Sequence, residues 1–195
     1  MAADPIFPRL VSLACHDLRT PLATVYGFAR TLPRLGPLPE QATQYIGMME
    51  AASAEMVDLL DRLSLVARIE SGSYEPTVAD VDSLELARGA GGRATSADVD
   101  EDGEGEQVAV DRDWTERAIA FLADCAIRHG DAERVRIGVR GRELELAPVS
   151  GAAAQVLLGA QLRDVGAETA RRLLEALGGS LSLRGEALVI SLPAT

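Results

Sequence analysis

Apolar residues between Arg9 and Leu32 recur at helical spacing. Leu10, Val11, Leu13, Leu18, Leu22, Val25, Phe28, Ala29 and Leu32 fall on one broad side at about 100° per residue. The opposite side carries Arg9, Ser12, His16, Arg19, Thr20, Ala23, Gly27 and Arg30, with His16 near its middle. "PRLGPLP", residues 33–39, ends the helix, because three prolines and a glycine cannot continue it. A second helix is predicted from about Glu40 to Ile69, with a heptad seam of Ala42, Tyr45, Met49, Ala52, Met56, Leu59, Leu63 and Val66. A second stripe of Ile46, Ser53, Val57, Leu60 and Ala67 makes the apolar surface wider than one partner helix covers. Pairing of two such hairpins into a four-helix bundle buries the excess, so the pattern predicts a homodimer. Packing against the C-terminal half is a competing way to cover the same surface.

From Ser71 to Gln107 the periodicity fades, and "RGAGGRATSADVDEDGEGEQ" reads as a connector with one strand near Val99. A strand at "QVAVD" then precedes a helix over "DWTERAIAFLADCAIRHG", with Asp113 and Glu116 as a capping box and Gly130 as the stop. Alternating "RVRIGV" and "ELELA" flank "RGR" as a hairpin, "GAETARRLLEALGG" is a further amphipathic helix, and "SLSLRGEALVISLP" is a second hairpin. Helices alternating with antiparallel strands predict a two-layer α/β sandwich. The expected fold class is therefore α+β, with a helical hairpin over 1–72, a connector over 73–107 and a reduced α/β domain over 108–195.

Composition narrows the function. Of 195 residues 47% are apolar and 4% aromatic, a globular balance with an aliphatic core. No apolar run approaches the roughly 18–20 residues that span a bilayer, and "MAADPIFPRL" lacks the layout of a leader peptide, so a cytoplasmic protein with no membrane contact is expected. A net charge of −11 argues against a nucleic-acid surface and for protein partners. Cys15 and Cys125 sit in helical patterns, show no metal-ligand spacing and read as small buried residues, so no metal site is expected. Met48, Met49 and Met56 read as core filler, and His129 as a residue placed against a helix C-terminus. All 19 basic residues are arginine, and the chain contains no asparagine.

"HDLRTPL", residues 16–22, resembles the H-box of sensor histidine kinases, a family whose dimerisation and histidine-phosphotransfer domain is a helical hairpin. "RIESGSYEPTVADVDSLELARGA" resembles that family's exit from the second helix, and "EALGGSLSLRGEALVISLP" the end of its ATP-binding domain. The resemblance implies that His16 accepts phosphate. An imidazole offers an uncharged nucleophilic nitrogen near pH 7. Asp17 matches the acid that takes the imidazole proton and orients the ring. Thr20 matches a position that in many relatives places a water for dephosphorylating the partner. Pro21 matches the motif's proline, which removes a backbone hydrogen bond and bends the helix, and Arg19 stands on the same face to meet phosphate oxygens or a partner.

The second half departs from a working kinase. Phe121 and Cys125 stand at the two asparagine positions of the helix that should hold Mg²⁺, and Asp124 and Asp131 match neither. After "ELELA" comes "PVSGAAAQVLLGA", which has no adenine-reading aspartate and no glycine-rich lid; it either fills the nucleotide cleft or makes a docking surface. The absence of lysine removes the usual point contact to phosphate. These departures resemble the dimeric histidine phosphotransferases that keep the kinase architecture without binding nucleotide. The expected function is a phosphorelay through His16 with response-regulator receiver domains, fed by an upstream histidine kinase, with no cofactor. Two other readings stand beside it: a divergent ATP-dependent histidine kinase needing ATP and Mg²⁺, and a non-catalytic pseudokinase interaction module.

Overall fold

The two long amphipathic segments form α1 (Ile6–Thr31) and α2 (Glu40–Glu70), joined by a short 3-10 turn at Leu32–Leu35. A computed structural model describes residues 6–100 and 103–194, and its contacts divide the chain into two units between Tyr74 and Glu75. The side chains of Arg9 and Leu10 lie outside the described residues.

Within the hairpin the seam between helices differs from the expected one. Ile46, Ser53, Leu60 and Ala67 are buried, each seven residues from the next, against Cys15, Leu22 and Ala29 at the same interval on α1. Cys15, Leu22 and Leu60 form one packed cluster, with Val11 against it. The predicted seam on α2 faces outward instead: Tyr45, Met49, Met56, Leu59 and Leu63 are all exposed, and so is Met48. Small side chains, Cys15 and Ala29 on α1 and Ser53 and Ala67 on α2, take four of these seven buried positions, and the larger side chains of the predicted seam are turned out. The methionines are thus not filler of this hairpin's core. α2 ends in a Schellman turn, with the Ser73 amide donating to the Arg68 carbonyl and Gly72 at φ +68°.

The second unit begins inside the segment expected to be a connector. β1 (Val78–Asp82) pairs antiparallel with β4 (Gln107–Asp111), α3 (Ser83–Gly91) lies between them in sequence, and β2 (Ala97–Val99) supplies the strand foreseen near Val99. β3 (Glu104–Gly105) is a further short strand. Glycine and acid in this stretch mark tight turns and caps rather than a linker: Asp82 caps α3 by accepting from the Leu84 and Glu85 amides. The buried Val81, Leu86, Ala87 and Ala90 supply the apolar contacts that a linker lacks.

The remaining elements are α4 (Arg112–His129), β5 (Val135–Gly141), β6 (Glu143–Ala147), α5 (Gly151–Leu157), α6 (Val165–Ala176), β7 (Ser180–Arg184) and β8 (Ala187–Ser191). The larger sheet runs β2-β5-β6-β8-β7, with β3 also pairing with β5. Its two hairpins, β5–β6 and β7–β8, are those read from the sequence. Val135, Ile137, Val139, Leu144, Leu146, Leu188 and Ile190 bury one side of the sheet, and α3, α4, α5 and α6 pack together above it. Two local expectations change. α4 starts one residue after β4, so its cap is Asp111, which accepts from the Trp114 amide, while Asp113 lies in the first turn. Glu116 is buried and held by Arg93 and Arg112, which is an ion-pair role and not half of a capping box. "GAAAQVL" forms α5, a helix that its lack of any polar face had hidden.

Candidate functional site

Helix periodicity carries His16 to the outside of the hairpin, where its side chain is 77% exposed. Its Nδ1 lies 3.2 Å from Oδ1 of Asp17, itself exposed. A carboxylate accepts, so this contact favours the tautomer that donates from Nδ1 and leaves the Nε2 lone pair free. One turn on, Thr20 is exposed, and its carbonyl accepts from the Thr24 hydroxyl. Pro21 lies inside α1, which continues to Thr31. Lacking an N–H, it cannot donate to the Asp17 carbonyl, and the turn bearing His16 and Asp17 loses one backbone tie.

Arg19 stands elsewhere than the helical wheel suggested. It turns toward α2 and donates from Nη2 to Oδ1 of Asp61 at 2.7 Å. Both side chains are partly buried, so the pair braces the hairpin one turn from His16. Asp61 was not foreseen as part of the site, because its partner is 42 residues away in sequence. Beneath His16, Cys15 is 2% exposed, and burial followed by the charge of Asp61 pushes its thiol up, against the opposing pull of Arg19. The Cys15 thiol is therefore a packing group here. Beside the motif, Leu18, Pro21, Leu22 and Val25 of α1 and Met56, Leu59 and Leu60 of α2 line an apolar groove.

In the second unit, α4 is the helix on which the resemblance places nucleotide ligands. Cys125 on it is fully buried, and Asp124 accepts from the Thr95 amide, which engages one of its oxygens. Asp131 is exposed beyond the end of α4. α5 and α6 both pack against α4, with Ala153, Ala154, Val156 and Leu157 of α5 buried. Cys125, His129 and Asp164 come together here, a cluster that sequence reading missed. The spacing of Cys125 and His129, four residues apart on a helix, was the available signal; Asp164 needed the fold.

Comparison with known proteins follows these two units. Residues 9–72 match the model of the His Kinase A (phospho-acceptor) domain. The "Probable sensor histidine kinase TcrY" of Mycobacterium tuberculosis is 31% identical over 71 residues, covering 36% of this chain and 15% of TcrY. Among solved structures, full-length ShkA in complex with AMPPNP is similar with a TM-score of 0.67 at 19% identity, over 96% of this chain and 47% of ShkA. The Acinetobacter baumannii histidine kinase AdeS is similar with a TM-score of 0.54 at 19% identity, over 91% of this chain and 98% of that one. The ATP binding domain of PrrB from Mycobacterium tuberculosis is similar with a TM-score of 0.51 at 18% identity, over 61% of this chain and 98% of that one. The chain thus spans 15% of the length of TcrY and about half of ShkA. No helix among the described residues is long and apolar enough to cross a membrane. The chain thus joins a helical hairpin that matches the His Kinase A (phospho-acceptor) domain over residues 9–72 to an α/β unit with the fold of a histidine kinase ATP-binding domain.

Proposed function

We propose that this protein relays phosphate through His16, exchanging it with the receiver domains of response regulators without using ATP. The observation that carries this reading is chemical: with no asparagine in the chain, the helix resembling the Mg²⁺-holding one offers the buried Cys125 and the half-buried Phe121. A thiol buried in apolar surroundings and a phenyl ring are poor ligands for Mg²⁺, which demands oxygen. The apolar residues of α5 against α4 support the same reading, since they fill space with core and present no phosphate donors.

In the forward step, the Nε2 lone pair of His16 attacks the phosphorus of a receiver's aspartyl phosphate. An N–P bond forms, the P–O bond to the receiver's carboxyl breaks, and that carboxylate leaves. Positive charge grows on the imidazole, and Asp17, 3.2 Å from Nδ1, stabilises it through the N–H it accepts. The return step to a second receiver reverses these changes. Thr20, exposed on the following turn, is positioned to place a water if the protein also dephosphorylates its partner. The exposed apolar groove beside the motif is covered by a second copy, giving a homodimer.

Transfer from a phosphorylated receiver domain is the test. Wild-type protein is expected to acquire acid-labile label, His16→Ala to acquire none, and neither to be labelled by ATP-Mg²⁺. Labelling of His16 by ATP would replace the relay with a divergent histidine kinase. Receiver binding that survives His16→Ala, with no transfer in the wild type, would replace it with a non-catalytic interaction module.

A further inference from the structure

Cys125 and His129 are one turn apart on α4, and Asp164 is the cap of α6, so two helices deliver three different donors to one point. Their ligand atoms all lie within 4.8 Å of one another. The place is shielded and open to solvent only on the histidine side: Cys125 is fully buried, and the side chains of Asp164 and His129 are 3% and 22% exposed. His129 Nε2 is buried and makes no hydrogen bond, although Oδ2 of Asp164 is 3.4 Å away. A buried ring nitrogen left in that state carries an uncompensated desolvation cost, which a ligand would relieve.

Asp164 has capacity to spare. Its Oδ1 accepts from the Ala167 amide at 3.0 Å and its Oδ2 from Arg128 Nη1 at 2.5 Å, and each oxygen has a second lone pair. A divalent ion beside the Cys125 thiol favours loss of its proton.

We propose that Cys125, His129 and Asp164 form a binding site for a divalent transition-metal ion of the zinc class, which clamps the end of α4 to the start of α6. Sulfur, imidazole nitrogen and carboxylate oxygen together select zinc-like ions and disfavour Mg²⁺ and Ca²⁺, which take oxygen donors. Thiolate and carboxylate neutralise the ion, and Arg128 remains on the carboxylate as its outer partner. On binding, the Cys125 S–H proton passes to solvent as the metal–sulfur bond forms, with no change of oxidation state. Zinc bond lengths of about 2.0–2.3 Å place tetrahedral ligands roughly 3.3–3.7 Å apart, which His129 Nε2 and Asp164 Oδ2 at 3.4 Å already meet, so the remaining adjustment, from at most 4.8 Å, is no more than about 1.5 Å. Water entering past the part-exposed His129 ring takes the fourth position.

Cobalt(II) titration of the full chain tests this. Wild-type protein is expected to give a thiolate-to-cobalt charge-transfer band and tetrahedral d–d bands that equimolar Zn²⁺ abolishes, and Cys15→Ser to give the same. Cys125→Ser is expected to lose the charge-transfer band. Asp164→Asn keeps an N-cap side chain and hence the fold, and is expected to weaken Zn²⁺ binding beyond the roughly 10–100-fold that loss of an outer hydrogen-bond partner costs. The site is overturned if the folded wild type gives no charge-transfer band, if the band depends on Cys15 and not Cys125, or if folded Asp164→Asn binds Zn²⁺ as tightly as the wild type.

Discussion

Replacing Met56 by glutamate tests what covers the outer face of the hairpin. Met56 is 46% exposed and lies in the groove with Val25 and Leu59. Full burial of a side chain of this size is worth about 1.5–3 kcal/mol, so covering the remaining share contributes about 1 kcal/mol per copy. A two-fold dimer counts every substitution twice, which gives about 2 kcal/mol, or roughly a 30-fold weaker Kd. Glutamate adds the cost of desolvating a carboxylate, so about 30-fold is the lower limit. Met56→Leu conserves volume and polarity and is expected to dimerise as the wild type does. Sedimentation velocity over a concentration series reads the Kd, and circular dichroism shows whether the helices persist. A Met56→Glu protein that is helical and as dimeric as the wild type would refute the assignment of this face to a second copy.

Two further substitutions address the α/β unit. In α3, Gly89→Ala is expected to destabilise, although alanine in a helix normally gains about 1 kcal/mol over glycine. A Cβ there would meet Glu116 Oε1 at 2.6 Å, so that carboxylate must shift and give up part of its contact with Arg93 and Arg112, which urea unfolding is expected to read as a net loss. In a Glu116→Ala background the same change should stabilise, and a loss of stability there would remove the explanation. Glu168 offers a pH test. Burial alone would raise its carboxyl, but hydrogen bonds from Arg171 and Arg172 outweigh that and hold it below the ordinary 4.5. Its stabilising contribution is therefore complete above about pH 4.5 and disappears as pH falls through the lowered value. Glu168→Gln should show a shallower loss of stability between pH 5 and pH 3, and identical slopes for the two proteins would contradict the linkage.

Several parts of this protein are local and could be read from the chain alone. Helical period marks α1 and α2, alternation marks both hairpins of the sheet, and the helical wheel marks His16 as exposed. The lack of asparagine and lysine is also a property of the sequence, and it bears on the donor of phosphate without any structure. What the chain could not decide is which of two apolar stripes on α2 meets α1. Both have the heptad period, and only the packed hairpin shows Ser53 and Ala67 buried and Met49 and Met56 exposed. The same limit applies to the ion pairs and clusters. Arg19 with Asp61, Glu116 with Arg93, and Asp164 beside Cys125 and His129 join residues distant in sequence. Periodicity tells which way a side chain faces on its own element, whereas the group it meets there is set by how the elements pack.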